Sequence, residues 1–195
     1  CAPSSYHFKY LKSIENYFSN IDILIEKPLF NKYYPIQKKL KNNYYVGFNL
    51  RYHPIIKFIK KFLTSNRPIF IDIISSSYLP NWRKEKNYKK TVSAQKKLGG
   101  GVILELSHEI DILSWFYKEI KFTHVLNKKI SKLKINCDDI LLASGKINQS
   151  SYFNLRLNFF SHISERKIKI DGDKFTIMCD LLKNKVIFKN KNKKI

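Results

Sequence analysis

Gly99-Gly100-Gly101-Val102-Ile103-Leu104-Glu105-Leu106-Ser107-His108-Glu109-Ile110-Asp111-Ile112-Leu113-Ser114-Trp115 is the stretch whose reading orders the rest of this chain. Three successive glycines do not sit comfortably inside a helix, so they mark a flexible approach to one. The residues that follow have helical spacing, which predicts a helix over 102–117. At about 100° per residue Leu104, His108, Asp111 and Trp115 share a face. A histidine and a carboxylate one turn apart, delivered by a glycine hinge, suit the movement of a proton. Upstream, Ile23-Leu24-Ile25-Glu26-Lys27-Pro28 ends an apolar run with a charged pair locked by proline.

Working outward, Ser4 and Ser5 are placed to cap a helix ending near Phe18, with Tyr10, Leu11, Ile14 and Phe18 at helical spacing. Residues 21–25 predict a short buried strand that Pro28 stops. A weaker helix is expected over 31–40 and a second strand over 44–49, so this part reads as a parallel α/β unit. Pro54 suits the first turn of a helix whose apolar stripe is Ile55, Phe58, Ile59 and Phe62. A strand over 68–77 follows, then a polar excursion from Tyr78 to Lys97. After Lys118 the segments 121–126, 140–146, 151–160, 167–171, 175–180 and 185–189 alternate or are β-branched. Turn residues separate them, which predicts an antiparallel sheet with hairpins.

The 195 residues are 44% hydrophobic and 14% aromatic, enough for a real core. No apolar run reaches the ~20 residues of a membrane span. Three widely spaced cysteines, Cys1, Cys137 and Cys179, fit neither a disulfide framework nor a zinc cluster and match a reducing cytoplasm. No two histidines lie at ligand spacing, so no metal is expected. The chain opens without an initiator methionine or an apolar signal region and is expected to be an internal fragment.

The net charge is +22, from 37 Lys and Arg against 15 Asp and Glu. Lysine far outnumbers arginine and is spread along the whole chain, as in an AT-rich genome. A nucleic-acid surface concentrates charge and favours arginine forks, so nucleic acid is not the expected partner. The charge does favour acidic small ligands such as phosphorylated or carboxylated sugars.

Lys27 sits at the carboxyl end of a parallel strand, where ligands bind in open α/β sheets. It is read either as a donor to a substrate oxygen beside Glu26 or as a solvated loop lysine. His108 is read either as a general base, with an unperturbed pKa near 6.5, or as a satisfied half-buried histidine. Asp111 at i+3 is its expected partner. Glu105, roughly 60° off around the helix, is the alternative. Trp82-Arg83 could clamp a ring and an anion, or pack as a loop anchor. Asn49, Arg51, Tyr52 and His53 follow the second strand on its ligand side.

These residues resemble one family. Glu26-Lys27-Pro28 is similar to the Glu-Lys-Pro signature of the Gfo/Idh/MocA oxidoreductases, the glucose–fructose oxidoreductase and inositol dehydrogenase family. The opening run Ala2-Pro3-Ser4-Ser5-Tyr6-His7 is similar to its preceding strand-end motif. Gly47 to Pro54 resembles its entry into a second domain, and Gly99 to Asp111 its Gly-Gly-Gly…His-x-x-Asp helix. Arg166 with Ile170-Asp171-Gly172 resembles its late sheet motif. The five motifs occur in order across nearly the whole chain.

The resemblance implies an α/β plus α+β architecture. Residues 1–48 would be the carboxyl-terminal part of a Rossmann domain that binds NAD or NADP. Residues 49–195 would form a substrate domain with an open, mostly antiparallel sheet and helices on one face. It implies hydride transfer at a sugar or polyol carbon, and a homo-oligomer through the open sheet. By position, Lys27 and His108 would be catalytic, with Glu105 and Asp111 supporting. Pro3, His7, Glu26, Lys27 and Pro28 would line the cofactor, and Asn49, Arg51, Tyr52, Trp82 and Arg83 the substrate. A non-catalytic sugar-binding or scaffold member of the same fold is the alternative.

The sequence also departs from the family. The Gly-x-Gly-x-x-Gly loop and the acidic ribose reader are absent and are expected upstream of Cys1. Many of these dehydrogenases carry aspartate four residues before the histidine, where this chain has Leu104. Phe175 stands where glycine is usual, so the late hairpin is expected to differ.

Overall fold

The computed structural model describes residues 2–36, 39–83, 86–191 and 193–194; Cys1 lies outside them. The chain starts with helix α1 (Ser4–Tyr17), followed by strands β1 (Asp22–Ile25) and β2 (Asn43–Val46). These strands pair in parallel, with Ile23 opposite Tyr44 and Ile25 opposite Val46. Neither serine caps α1. Pro3 holds the cap position with no side-chain bond, and Ser4 is buried in the first turn. The strand β1 is less covered than its apolar run predicts, and Leu24 is 74% exposed. Its sheet has only two strands among the described residues, so one edge and much of its surface stay open.

No helix forms over the described residues of the 31–40 segment. Pro35 fixes φ and lacks an N–H there, which opposes a helix interior. Aromatic packing holds the segment instead. Phe8 stacks on Tyr34 at 4.1 Å, and Phe30 meets both rings edge-on at 5.4 Å.

The remaining elements build one layer of helices on one sheet. They are α2 (Pro54–Leu63), β3 (Phe70–Tyr78), α3 (Val102–Glu105), α4 (Ser107–Phe116), β4 (Ile120–Lys128), β5 (Ile140–Ile147), β6 (Ser151–Asn158), β7 (Phe160–Asp171), β8 (Phe175–Asp180), β9 (Lys185–Asn190) and β10 (Lys193–Lys194). Between Leu79 and Leu98 the described residues of the excursion form four short 3₁₀ turns. The eight-stranded sheet runs β10-β9-β8-β7-β3-β6-β5-β4. It is antiparallel except where β3 lies parallel to β6. Thus β6 and β7, consecutive in sequence, do not form a hairpin: β3 is wedged between them.

Strand alternation puts Ile71 and Ile73 of β3, Phe153, Leu155 and Leu157 of β6, and Ile168 and Ile170 of β7 on the covered face. Against them pack Ile56 and Ile59 of α2 and Ile112 and Leu113 of α4, all nearly without exposure. Each such side chain contributes roughly 1.5–3 kcal/mol of burial. On α2 the buried face is Ile55, Ile56 and Ile59. Phe58, expected in that stripe, is 44% exposed. Phe62 is held edge-on by Phe175 and Phe188 at 4.8 and 5.4 Å. The opposite face of the sheet exposes Phe70, Leu142, Tyr152 and Met178. No helix of the described residues is long and apolar enough to cross a membrane.

The helix predicted over 102–117 is broken. Leu106, at φ −99° and ψ 32°, separates α3 from α4. The glycines before it are not a hinge but a close fit. At Gly99 (φ +90°) an added Cβ would fall 2.0 Å from Ser4 Oγ, and at Gly101 (φ +119°) 2.3 Å from Asp138 Oδ1. Left-handed backbone and lack of space both require glycine there.

Candidate active site

The site is built where the end of β1 meets the α3–α4 break. The turn after β1 carries Glu26-Lys27-Pro28, with the Lys27–Pro28 peptide cis. His7 of α1 braces this turn. Its Nδ1 lies 3.2 Å from the Pro28 carbonyl and 3.1 Å from that of Leu29, and its Nε2 lies 3.0 Å from the Ala2 carbonyl. Both ring nitrogens therefore face backbone oxygens of this chain.

Lys27 Nζ donates to the Glu105 carbonyl at 2.6 Å. The break at Leu106 explains why that carbonyl takes an outside donor. The Glu109 N–H is diverted to the Leu106 oxygen, at 3.4 Å. The start of α3 is held in turn by Asp138. Its Oδ2 accepts from Ile103 N, and its carbonyl from Val102 N, both at 3.1 Å. This is an N-terminal cap supplied from another loop.

Lys27 and His108 line one cavity of about 420 Å³. Ser75, Ser76 and Ser77 at the end of β3 form one wall, and Ser164, Glu165 and Arg166 of β7 another. Trp82, Glu105, Leu106 and Leu182 complete it. Trp82 is fixed by its indole N–H, which donates to Ser77 Oγ at 2.7 Å, and by edge packing on Phe159 at 5.2 Å.

His108 is 9% exposed, and its Nδ1 has no hydrogen-bond partner. Its ring meets Phe48 edge-on at 5.8 Å. Burial, then the charges of Lys27 and Arg166, push its pKa down to about 4, well below the unperturbed value used above. It is neutral at pH 7. Burial also lowers Lys27, while Glu105 and Glu109 pull it back up.

The expected partnership of His108 with Asp111 is not formed. Asp111 takes a two-point ion pair with Arg51, at 2.5 and 2.8 Å. The reason is rotational: Asp111 faces the 3₁₀ turn Asn49–Tyr52, whose Arg51 also stacks between Phe48 and Trp115. Arg51 is engaged by Asp111, and Asn49, Tyr52 and Arg83 are exposed; none of the four lines this cavity. Glu26 and His7 line a separate depression beside β1, and Pro3 caps α1.

Sequence reading missed the pair behind the cavity: Arg166 Nε donates to Glu109 Oε1 at 2.7 Å, with Glu109 1% exposed. It also missed the serine wall. Only the β3–β7 register, which sets Ser75 opposite Arg166, brings them to the site. The two described cysteines, Cys137 and Cys179, are free and buried, with thiols pushed up to about 12, so neither is a nucleophile. Among the described residues no cluster of metal-ligating side chains occurs.

No family model matches the sequence, and no curated relative matches it. Solved structures do. A levoglucosan dehydrogenase in complex with NADH superposes with a TM-score of 0.82 at 14% identity, over 100% of this chain and 56% of that one. The WlbA dehydrogenase from Bordetella pertussis, in complex with NADH and UDP-GlcNAcA, gives 0.79 at 14% identity, over 98% of this chain and 62% of that one. An inositol dehydrogenase homolog from Azotobacter vinelandii, complexed with NAD+, gives 0.77 at 12% identity, over 99% and 54%. The chain thus spans little more than half the length of these structures. What it shares with them is the fold.

Proposed function

We propose that this chain, which has the fold of the Gfo/Idh/MocA dehydrogenases, is the substrate-facing part of an NAD(P)-dependent sugar or polyol oxidoreductase. The observation that carries this reading is the convergence of Lys27 and His108 on one cavity. They come from elements far apart in sequence, and each is set by a dedicated contact. Residues 1–48 would belong to the dinucleotide domain and 49–195 to the substrate domain.

The residues present fit the nicotinamide end of such a cofactor. The turn 26–28 lies at the carboxyl end of a parallel strand pair, braced by His7, and leads directly into the cavity. A glycine loop for the pyrophosphate is not among the 195 residues. When bound, a nicotinamide supplies a hydride acceptor or donor. The chain's own groups handle the proton. His108, neutral at pH 7, can take the proton of a substrate hydroxyl. Lys27, its ammonium held beside the Glu105 carbonyl, can donate to the same oxygen and steady negative charge there. His108 is buried and Lys27 half-buried, and this partial exclusion of water strengthens the interaction.

A second reading keeps the fold without the chemistry. Two observations favour it: His108 Nδ1 has no partner to fix its tautomer, and no carboxylate occupies position 104. In either case the exposed sheet face with Phe70, Leu142, Tyr152 and Met178 is the surface through which copies would associate.

The test is cofactor reduction by the longer protein that contains this chain, against a panel of polyols, sugars and nucleotide sugars. Turnover lost in both Lys27→Ala and His108→Ala supports the oxidoreductase reading. Turnover intact in both variants keeps an oxidoreductase but sinks the Lys27–His108 site, and no turnover in the wild type favours the binding protein.

A further inference from the structure

Arg166 shares the cavity with Lys27 and His108, yet proton and hydride transfer give it nothing to do. Its Nε is clamped from behind by Glu109 Oε1 at 2.7 Å. Glu109 is 1% exposed and sits on the helix side, so the pair is an oriented dipole with its negative end buried. The two Nη groups find no protein acceptor among the described residues. A guanidinium carries five donors and no acceptor, and donors left unmatched in a partly dry site are costly. The Arg166 side chain is 24% exposed.

A hydroxyl stands beside this fork as well. Ser75 lies opposite Arg166 in the β3–β7 ladder, while Ser76 lies opposite Glu165 and Ser77 Oγ accepts from the Trp82 indole. Two carboxylates share the lining, and Glu165 has cations of its own. Glu165 pairs with Lys167 at 2.8 Å and with Arg156 at 3.9 Å. Glu105 lies beside Lys27. What the fork faces is the cavity, with Ser75 beside it. An anionic oxygen pair fits such a fork better than a neutral hydroxyl, because both hydrogen bonds become charge-assisted.

We propose that Arg166 seats an anionic group of the substrate, a carboxylate or phosphate carried on a sugar, while the reacting hydroxyl lies toward Lys27 and His108. The inference rests on the substrate-site reading above and narrows it to acidic sugars.

Calorimetric titration of the full-length protein tests it with three matched sets: hexuronates, hexose phosphates and the parent hexoses. At least one anionic set should bind roughly tenfold to a hundredfold tighter than its parent. The carboxylate and phosphate arms identify which anion is used. The Glu109→Gln/Arg166→Gln double variant removes both charges and leaves no lone buried carboxylate. In it the anionic preference should vanish. Should that variant not fold, Arg166→Lys decides: it keeps the charge but loses the fork, and the preference should drop several-fold. Equal binding of all three sets, or a preference that survives these variants, overturns the proposal. A cofactor-reduction assay on the same samples separates it from the broader reading. Arg166-dependent binding without turnover keeps the anion seat and sinks the redox function. Turnover of neutral sugars with no anionic preference does the reverse.

Discussion

Lys27 and Glu105 are 78 positions apart, and a single 2.6 Å hydrogen bond, from the Lys27 ammonium to the Glu105 main-chain oxygen, joins them. The bond ties the turn after β1 to the break between α3 and α4. It fixes the ammonium in the lining of the cavity that His108 shares. Because the acceptor is backbone, its position depends on how the break is built and not on the Glu105 side chain.

If the proposed oxidoreductase reading holds, removal of the ammonium or of the imidazole should be costly to turnover. Lys27→Met and His108→Ala are each expected to lower kcat by roughly 10²–10⁴, the usual span for a positioned acid or base. Cofactor affinity should change little, since neither group would hold a pyrophosphate. Steady-state kinetics together with cofactor titration checks both halves.

Acid should weaken the fold through His108. Its pKa is about 4 when folded and about 6.5 when unfolded. Below pH 6.5 the unfolded chain takes up a proton that the folded chain refuses, so stability falls as pH drops from 6.5 to 4. The contribution is up to about 3 kcal/mol. Urea melts at pH 7, 5.5 and 4 should show a shallower decline in His108→Gln than in the wild type. Parallel declines would mean that His108 is not held neutral.

The Arg51–Asp111 pair should behave as structure. Asp111→Asn is expected to cost about 1.5–3 kcal/mol through a weakened charge-assisted bond to a half-exposed arginine. The pH–rate profile should not move, because Asp111 faces Arg51 and not His108. A shifted profile would restore the His108–Asp111 partnership that the spacing alone predicts.

What could be read from sequence and what could not divide along one physical line. Periodicity is local, so α2, α4 and the strands after Lys118 were legible, some to within a residue. Strand pairing is not local. Nothing between Phe70 and Tyr78 says that this strand inserts between β6 and β7, so the meeting of Ser75 with Arg166 was hidden. Helical phase failed at Leu106 because the break depends on Asp138 and Lys27, which lie elsewhere in the chain. Lys27, His108 and Trp82, which line one cavity, each sit beside a local landmark in the sequence. Arg51 had the same kind of landmark, and its guanidinium went to Asp111 instead.

The glycines at the start of α3 make the tight-fit account testable. Gly101→Ala would place a methyl 2.3 Å from Asp138 Oδ1 at a φ of +119°. Strain of this kind costs about 1–3 kcal/mol. Displacing Asp138 should also disturb the α3 start and, through Glu105, the Lys27 contact. Reduced thermal stability together with reduced turnover is the expected result. A flexible hinge would instead tolerate alanine with little loss of stability.

Glu105→Gln separates the backbone contact from the charge. The substitution keeps the main-chain oxygen that accepts from Lys27, so the ammonium should stay in place. It removes the charge that does most to raise the Lys27 pKa, which burial already lowers. The ammonium should then lose its proton at a lower pH. If the protonated form is the one that steadies the substrate oxygen, the alkaline limb of the pH–rate profile should move toward neutrality. The plateau rate should stay near that of the wild type. A carboxylate acting instead as the partner of His108 would shift the acid limb. An unmoved profile would mean that Glu105 contributes only its carbonyl, and that the basicity of Lys27 is set by burial together with Glu109 and Arg166.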